Sequence, residues 1–196
     1  MNSHTPIQLI VGLGNPGIHY ARTRHNAGTD FLLKLAQTHQ TVLSENTKFF
    51  SLCGDCIIDG HRVRLSIPTT FMNRSGQAVG AVANFYKIQP EAILVVHDEL
   101  DLPPGTARFK LGGGHGGHNG LRDTIRALAN NQGFARLRIG IGHPGNAKQV
   151  TDYVLKKAPN DECGLIDDSI DRACAIMPLV CNGQWEKAMQ QLHTVR

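Results

Sequence analysis

The chain has 196 residues, 41% of them apolar, and a formal net charge of +4; without a Ser/Pro/Gly linker it reads most simply as one globular domain over residues 1–196. Its start has neither the basic head nor the apolar run of a secretion signal, and no segment approaches the ~20 apolar residues needed to span a bilayer, so a membrane partner is excluded. Five cysteines, an odd number, suit reduced thiols rather than a disulfide framework, and a cytosolic protein is expected.

The first element is the apolar, β-branched run Ile7 to Val11, read as a buried strand over Gln8 to Val11. It leads into Gly12-Leu-Gly-Asn-Pro-Gly17, and Phe31, Leu32, Leu35 and Ala36 then recur at helical spacing from Gly28 onward. Asn15, His25 and Asn26 therefore lie in a strand-to-helix connection, where ligands of α/β sheets gather. Further strands are expected over Phe49 to Ile58, Val63 to Ile67, Ala92 to His97, Ala107 to Leu111 and Arg136 to Ile141. Asp59-Gly60 between two of them has hairpin-turn chemistry. Helical spacing marks Ser75 to Tyr86, Leu121 to Ala129, Asp161 to Val180 and Gln184 to Leu192. This order predicts an α/β three-layer sandwich, a central twisted mixed β-sheet flanked by helices on both faces.

Charge is distributed unevenly. Residues 1–101 carry eight basic and eight acidic side chains, residues 102–160 nine and two, and residues 161–196 three and six. The central surplus could meet phosphates or form a solvated basic face.

Several motifs compete for chemistry. Val11-Gly-Leu-Gly-Asn-Pro-Gly17 is echoed by Ile139-Gly-Ile-Gly-His-Pro-Gly145, and Pro-Gly suits a type II turn with positive φ at the glycine. Both match the dinucleotide fingerprint, but no helix opens at once behind the turn to face a pyrophosphate. Cys53-Gly-Asp-Cys56 has redox or zinc spacing without a second pair. Gly112-Gly-Gly-His-Gly-Gly-His-Asn-Gly120 carries so much glycine that its backbone must approach something closely. A metal on His115 and His118 would lack a third ligand at recognisable spacing, and no metal or cofactor is expected. Asn73 and Asn119 stand where helix N-caps are expected. Asp98, Glu99 and Asp101 end a buried strand, and one of them could orient an imidazole. Periodicity does not choose among the three. A histidine, aspartates and three asparagines at element junctions, with no Ser or Cys nucleophile beside a base, suit general-base attack by water.

Four of these motifs, Val-Gly-Leu-Gly-Asn-Pro-Gly with Thr-Arg-His-Asn-Ala-Gly, Pro-Thr-Thr-Phe-Met-Asn, His-Asp-Glu-Leu-Asp-Leu-Pro-Pro-Gly and the glycine-rich run, closely resemble those of bacterial-type peptidyl-tRNA hydrolases, in the same order from about Ile7 to Leu155. The resemblance implies hydrolysis of the ester joining a peptide to the 3′-terminal ribose of tRNA, which recycles stalled tRNA, by a monomer needing no cofactor. His25 would be the base activating water, since an imidazole with a pKa near ~6.5 serves at neutral pH. Asp98 would hold its ring, and Asn15 would distinguish peptidyl-tRNA from free aminoacyl-tRNA. Asn73 and Asn119 would position the substrate, and either could donate to an oxyanion. Tyr20 and Phe71 match tRNA-binding positions, where aromatic faces stack on bases. Arg108, Lys110 and Arg138, with Arg136, are natural phosphate contacts; the family often has Lys where Arg108 stands. A non-catalytic RNA-binding relative of the same fold is the alternative, and a nucleotide-dependent oxidoreductase a third class that would be insensitive to His25→Ala.

Overall fold

A computed structural model describes residues 5–194. Strand β1 (Leu9–Gly12) is completely buried, as an unbroken apolar run in a parallel sheet must be. It lies between β4 (His61–Pro68) and β5 (Ile93–Glu99), parallel to both. With β2 (Ser44–Asn46), β3 (Ser51–Ile58), β6 (Ala107–Leu111) and β7 (Ala135–Gly140), these strands form one mixed seven-stranded sheet in the order β2-β3-β4-β1-β5-β7-β6. β3 and β4 are antiparallel across the expected turn, where Asp59 and Gly60 both have positive φ.

Helices cover both faces. α1 (Ala27–Thr38), α5 (Asn160–Cys181) and α6 (Trp185–His193) share one core with the side chains of Ile10, Leu94, Val96, Leu137 and Ile139. α2 (Ser75–Tyr86) and α3 (Asn119–Ala127) enclose the second, around Leu9, Val11, Ile93 and Val95. Alternate residues of β1 and β5 thus go to opposite layers, which is the period-2 rule at work on a strand buried from both sides. Among the described residues no helix is long and apolar enough to cross a membrane.

Four local departures from the expected elements have physical causes. Phe49, expected to open a strand, instead closes the 3-10 turn Thr47–Phe49, and β3 starts only at Ser51 because Phe50 takes a left-handed conformation (φ 50°) that breaks the extended run. The three-residue β2 is held by pairing with Ser51–Cys53. The five-residue α4 (Val150–Val154) is too short for a periodicity signal and needs tertiary contacts to persist. α3 also begins and ends earlier than its apolar spacing suggests, and positive φ at Ala129 and Asn130 prevents continuation.

β1, β4, β5 and β7 all run the same way, so the loops carrying Asn15 and Asn73 leave the sheet at the end where β5 closes with Asp98. Gly28 makes this convergence possible. A Cβ there would collide with the Val96 carbonyl oxygen, so only glycine lets α1 start directly over the ends of β1 and β5. Gly17 (φ 96°) and Gly145 (φ 89°) supply the positive φ that their Pro-Gly turns require.

Candidate active site

Asp98 is the centre of the polar cluster at that end. It is buried (3% exposed) at the close of β5, and two imidazoles satisfy its carboxylate. His25, in the 3-10 turn Arg24–Asn26 before α1, places Nδ1 2.9 Å from Oδ2. His118 places Nε2 2.8 Å from Oδ1. Burial alone would raise the Asp98 pKa, but the charges and hydrogen bonds of His25 and His118 overcome it and hold the group well below the usual carboxylate range.

An ionised carboxylate only accepts, so the proton of neutral His25 resides on Nδ1 and the lone pair on Nε2. Nε2 has no hydrogen-bond partner among the described residues, and His25 lines a cavity of about 580 Å³. Burial pulls the His25 pKa down, yet the Asp98 charge and hydrogen bond leave it above the ordinary histidine value. The geometry therefore distinguishes the three acids at the end of β5. Asp98 faces His25, Glu99 lies 3.8 Å from Arg138, and Asp101 is exposed.

His118 escaped the sequence reading except as a metal candidate. Its Nδ1 accepts from the N–H groups of Gly120 (3.1 Å) and Leu121 (3.3 Å), making it the N-cap of α3. Asn119 is thus the first helical residue and not the cap, because the imidazole one position earlier has already taken the free N–H groups. His115 instead accepts from Gly117 N–H within its own loop. His25, Asp98 and His118 do offer three ligand atoms within 4.8 Å of one another. Two backbone donors on His118 Nδ1, however, force its proton onto Nε2, the nitrogen a metal would need. The trio suits a hydrogen-bonded relay better than a ligand set. Beneath it lies His97, 2% exposed, whose Nδ1–H donates to the Asp98 carbonyl oxygen at 2.8 Å. Burial first, then the neighbouring His118, pushes the His97 pKa down to about 3, and it stays neutral.

The asparagines surround the free face of His25. Asn15 Oδ1 accepts from Met72 N–H at 2.7 Å, so its NH₂ group is left over for a ligand. Buried Asn26 clamps the Asn15 backbone, accepting from its N–H (2.8 Å) and donating to its carbonyl (2.9 Å). Asn119 Oδ1 accepts from Arg122 Nη1 at 3.0 Å, which likewise leaves its NH₂ free. Asn73 is not a cap either. It sits within the 3-10 turn Met72–Arg74, α2 has no side-chain cap, and Asn73 is exposed on the cavity wall with Asn15 and Asn119. Apolar side chains of Leu100, Val150, Val154 and Leu155 also line the cavity, alongside Glu99, Asp101, His143 and Thr151. Tyr20 and Phe71 meet edge to face, with centroids 6.1 Å apart and Phe71 55% exposed.

Arg108, Lys110 and Arg138 are not in the cavity. β6 pairs with β7 so that Arg108 lies opposite Arg138 and Lys110 opposite Arg136. The four form a basic tile on one face of the sheet edge, joined to the cavity rim by the contact between Arg138 and Glu99. Arg136 is 1% exposed, stacked 4.3 Å over Phe134 and donating to the Gly113 carbonyl, and its Nε and Nη1 have no hydrogen-bond partner. Burial and the neighbouring Arg138 push its pKa down to about 10. Among the described residues no carboxylate pairs with Arg108, Lys110 or Arg136.

Residues 9–196 match the family model described as peptidyl-tRNA hydrolase. The chain belongs to the peptidyl-tRNA hydrolase family. It is 62% identical over 190 residues to the peptidyl-tRNA hydrolase of Saccharophagus degradans, covering 97% of this chain and 96% of that one. The counterpart from Teredinibacter turnerae is also 62% identical, over 96% of this chain and 98% of its own. A crystal structure of peptidyl-tRNA hydrolase from Acinetobacter baumannii superposes with a TM-score of 0.95 at 51% identity, covering 98% of this chain and 97% of that one. Membership makes the protein a hydrolase with peptidyl-tRNA as its substrate class. The cluster where β1 and β5 end and α1 begins brings an imidazole, a cavity and free amide donors together.

Proposed function

We propose that His25 is the general base that hydrolyses the ester between the peptide and the 3′-terminal ribose of tRNA. A water held at Nε2 gives up a proton to His25 as its oxygen bonds to the ester carbonyl carbon. The carbonyl becomes an oxyanion facing the free NH₂ groups of Asn73 or Asn119. On collapse, the carbon–oxygen bond to ribose breaks and the proton on Nε2 passes to the departing ribose oxygen. The products are a peptide acid and tRNA. Such base catalysis contributes roughly 10²–10⁴-fold, and one oxyanion donor about 2.7–4 kcal/mol where measured in another hydrolase. Asp98 acts through His25, fixing the tautomer and favouring the imidazolium that forms.

Asn15 serves as the selectivity residue. With Oδ1 committed to Met72, it presents donors only, which match a neutral peptide carbonyl and oppose an α-ammonium group. The apolar part of the cavity lining receives the peptide. Tyr20 and Phe71 stack on terminal bases, and Arg108, Lys110 and Arg138 meet tRNA phosphates irrespective of sequence.

The observation that carries this reading is the His25 Nδ1 contact with Asp98, which leaves Nε2 free beside the cavity. It is tested by deacylation of one tRNA bearing either an N-acetylated or a free aminoacyl group. Rapid release of the blocked form alone is expected. Equal release of both would remove the role given to Asn15, and binding without release at saturating protein would remove the role given to His25.

A further inference from the structure

Arg24 immediately precedes His25 and plays no part in the chemistry above, yet its contacts run to residues that adjoin the cavity lining. Its side chain is 9% exposed. Nη1 donates to the Tyr153 carbonyl at 3.0 Å, the guanidinium lies 3.8 Å over the Tyr153 ring, and Nη2 stands 3.7 Å from Glu162 of α5. Arg24 N–H also donates to the Lys156 carbonyl at 3.0 Å, and Thr23 pairs with Lys157 in a single antiparallel bridge. Tyr153 in turn donates its hydroxyl to the Ile141 carbonyl at 2.7 Å, just beyond β7.

Apart from the Glu162 contact to α5, these contacts gather on α4 and the residues just after it, Lys156 and Lys157. Five residues cannot sustain a helix alone, and the Tyr153 carbonyl, at the C-terminal end of α4, accepts from Lys156 N–H at 3.3 Å and keeps a second lone pair. A guanidinium satisfies it while stacking on the ring of the same residue. Lysine, a point charge without a planar face, cannot do both. Val150 and Val154, on the same short helix, line the cavity.

We infer that Arg24 is a positioning residue that fixes the peptide-binding wall of the cavity relative to the base. Grip on the peptide then depends on one strut, running from the base's own neighbour to α4. The inference rests on the reading that the apolar part of the lining receives the peptide.

The test uses one tRNA carrying either N-acetyl-alanyl or N-acetyl-trialanyl groups, cleaved by the wild type, Arg24→Met, Arg24→Lys and Tyr153→Leu. In Arg24→Met, KM for the longer substrate is expected to rise about tenfold, the size of a desolvated cation–π and hydrogen-bond contact. KM for N-acetyl-alanyl-tRNA should stay within about twofold and the acid limb of the pH profile should not move. Arg24→Lys, which keeps the charge and guards against a folding failure of the methionine variant, should share the defect. Tyr153→Leu, which keeps the backbone carbonyl that Arg24 contacts, should show a smaller rise, and adding Arg24→Met to it should bring KM to the level of Arg24→Met alone. A wild-type KM independent of peptide length would overturn the peptide assignment of the cavity. A length-dependent wild-type KM, with the Arg24 variants shifting both substrates equally or neither, would overturn the role of Arg24 alone.

Discussion

Asp98 and Arg136 are both buried charged groups on neighbouring strands of one sheet, and the protein treats them in opposite ways. Asp98 has its charge answered from within, by His25 at 2.9 Å and His118 at 2.8 Å. Arg136 has no carboxylate beside it, and two of its nitrogens lack any partner. Burying a charge is costly unless it is paired. The carboxylate is spent internally, on the tautomer and basicity of an imidazole. The guanidinium keeps two nitrogens unpaired beneath Phe134 and the Gly113 loop, beside Arg108, Lys110 and Arg138, the side chains proposed to meet tRNA phosphates. Chemistry and tRNA binding should therefore separate by mutation, one region governing rate and the other affinity.

The strongest way to break that separation is His25→Ala, expected to lower single-turnover cleavage by roughly 10²–10⁴-fold while tRNA affinity stays within about twofold. A comparable loss of affinity would place His25 in the binding region instead. Asp98→Asn should cost a similar factor, about 10²–10⁴, and shift the pH profile. The rate rises as His25 loses its proton, and Asp98 holds the His25 pKa above its ordinary value. Removing the negative charge must move the acid limb to lower pH, and an unmoved limb would detach Asp98 from the base. Asn15→Asp replaces the free NH₂ donors with an acceptor and should narrow discrimination against free aminoacyl-tRNA by about tenfold or more. Comparison of kcat/KM for the two substrates measures it.

On the other side of the comparison, Arg138→Glu should leave kcat alone and raise KM at low salt. The slope of log affinity against log salt should flatten by about one contact. An unchanged KM would make this tile a solvated surface. The smallest effect concerns stability. The unfolded chain takes up a proton at His97 below the ordinary histidine range, and the folded protein refuses it until about pH 3. Unfolding free energy should thus fall with decreasing pH through that window, by up to about 1.4 kcal/mol per pH unit. His97→Phe should remove that part of the slope in urea titrations at pH 7 and pH 5.

The layered architecture was legible because it depends on local spacing. Ser75–Tyr86 and Ala107–Leu111 stand where their apolar periodicities put them, and the Asp59-Gly60 turn follows from its own chemistry. What was hidden depends on distant partners. α4 exists through contacts such as Arg24 with Tyr153, far apart in sequence. The N-cap of α3 passed from Asn119 to His118 because Asp98, on another strand, fixes the imidazole that also accepts the helix N–H groups. Arg136 alternates with apolar neighbours as a solvent-facing strand residue would. Its burial follows from the ring of Phe134 and the glycine-rich loop at Gly113 that close over it. The motifs therefore located the candidate residues, while the orientation of each nitrogen and amide required the fold.

The central claim is that His25 offers a free Nε2 because Asp98 holds its Nδ1 proton. Nitrogen NMR of the His25 ring, titrated alongside the single-turnover rate, tests it most directly. The expected result is the Nδ1–H tautomer at pH 8 and a titration midpoint above the ordinary histidine value that coincides with the acid limb of the rate. An Nε2–H tautomer, or a midpoint unconnected with the rate, would contradict it.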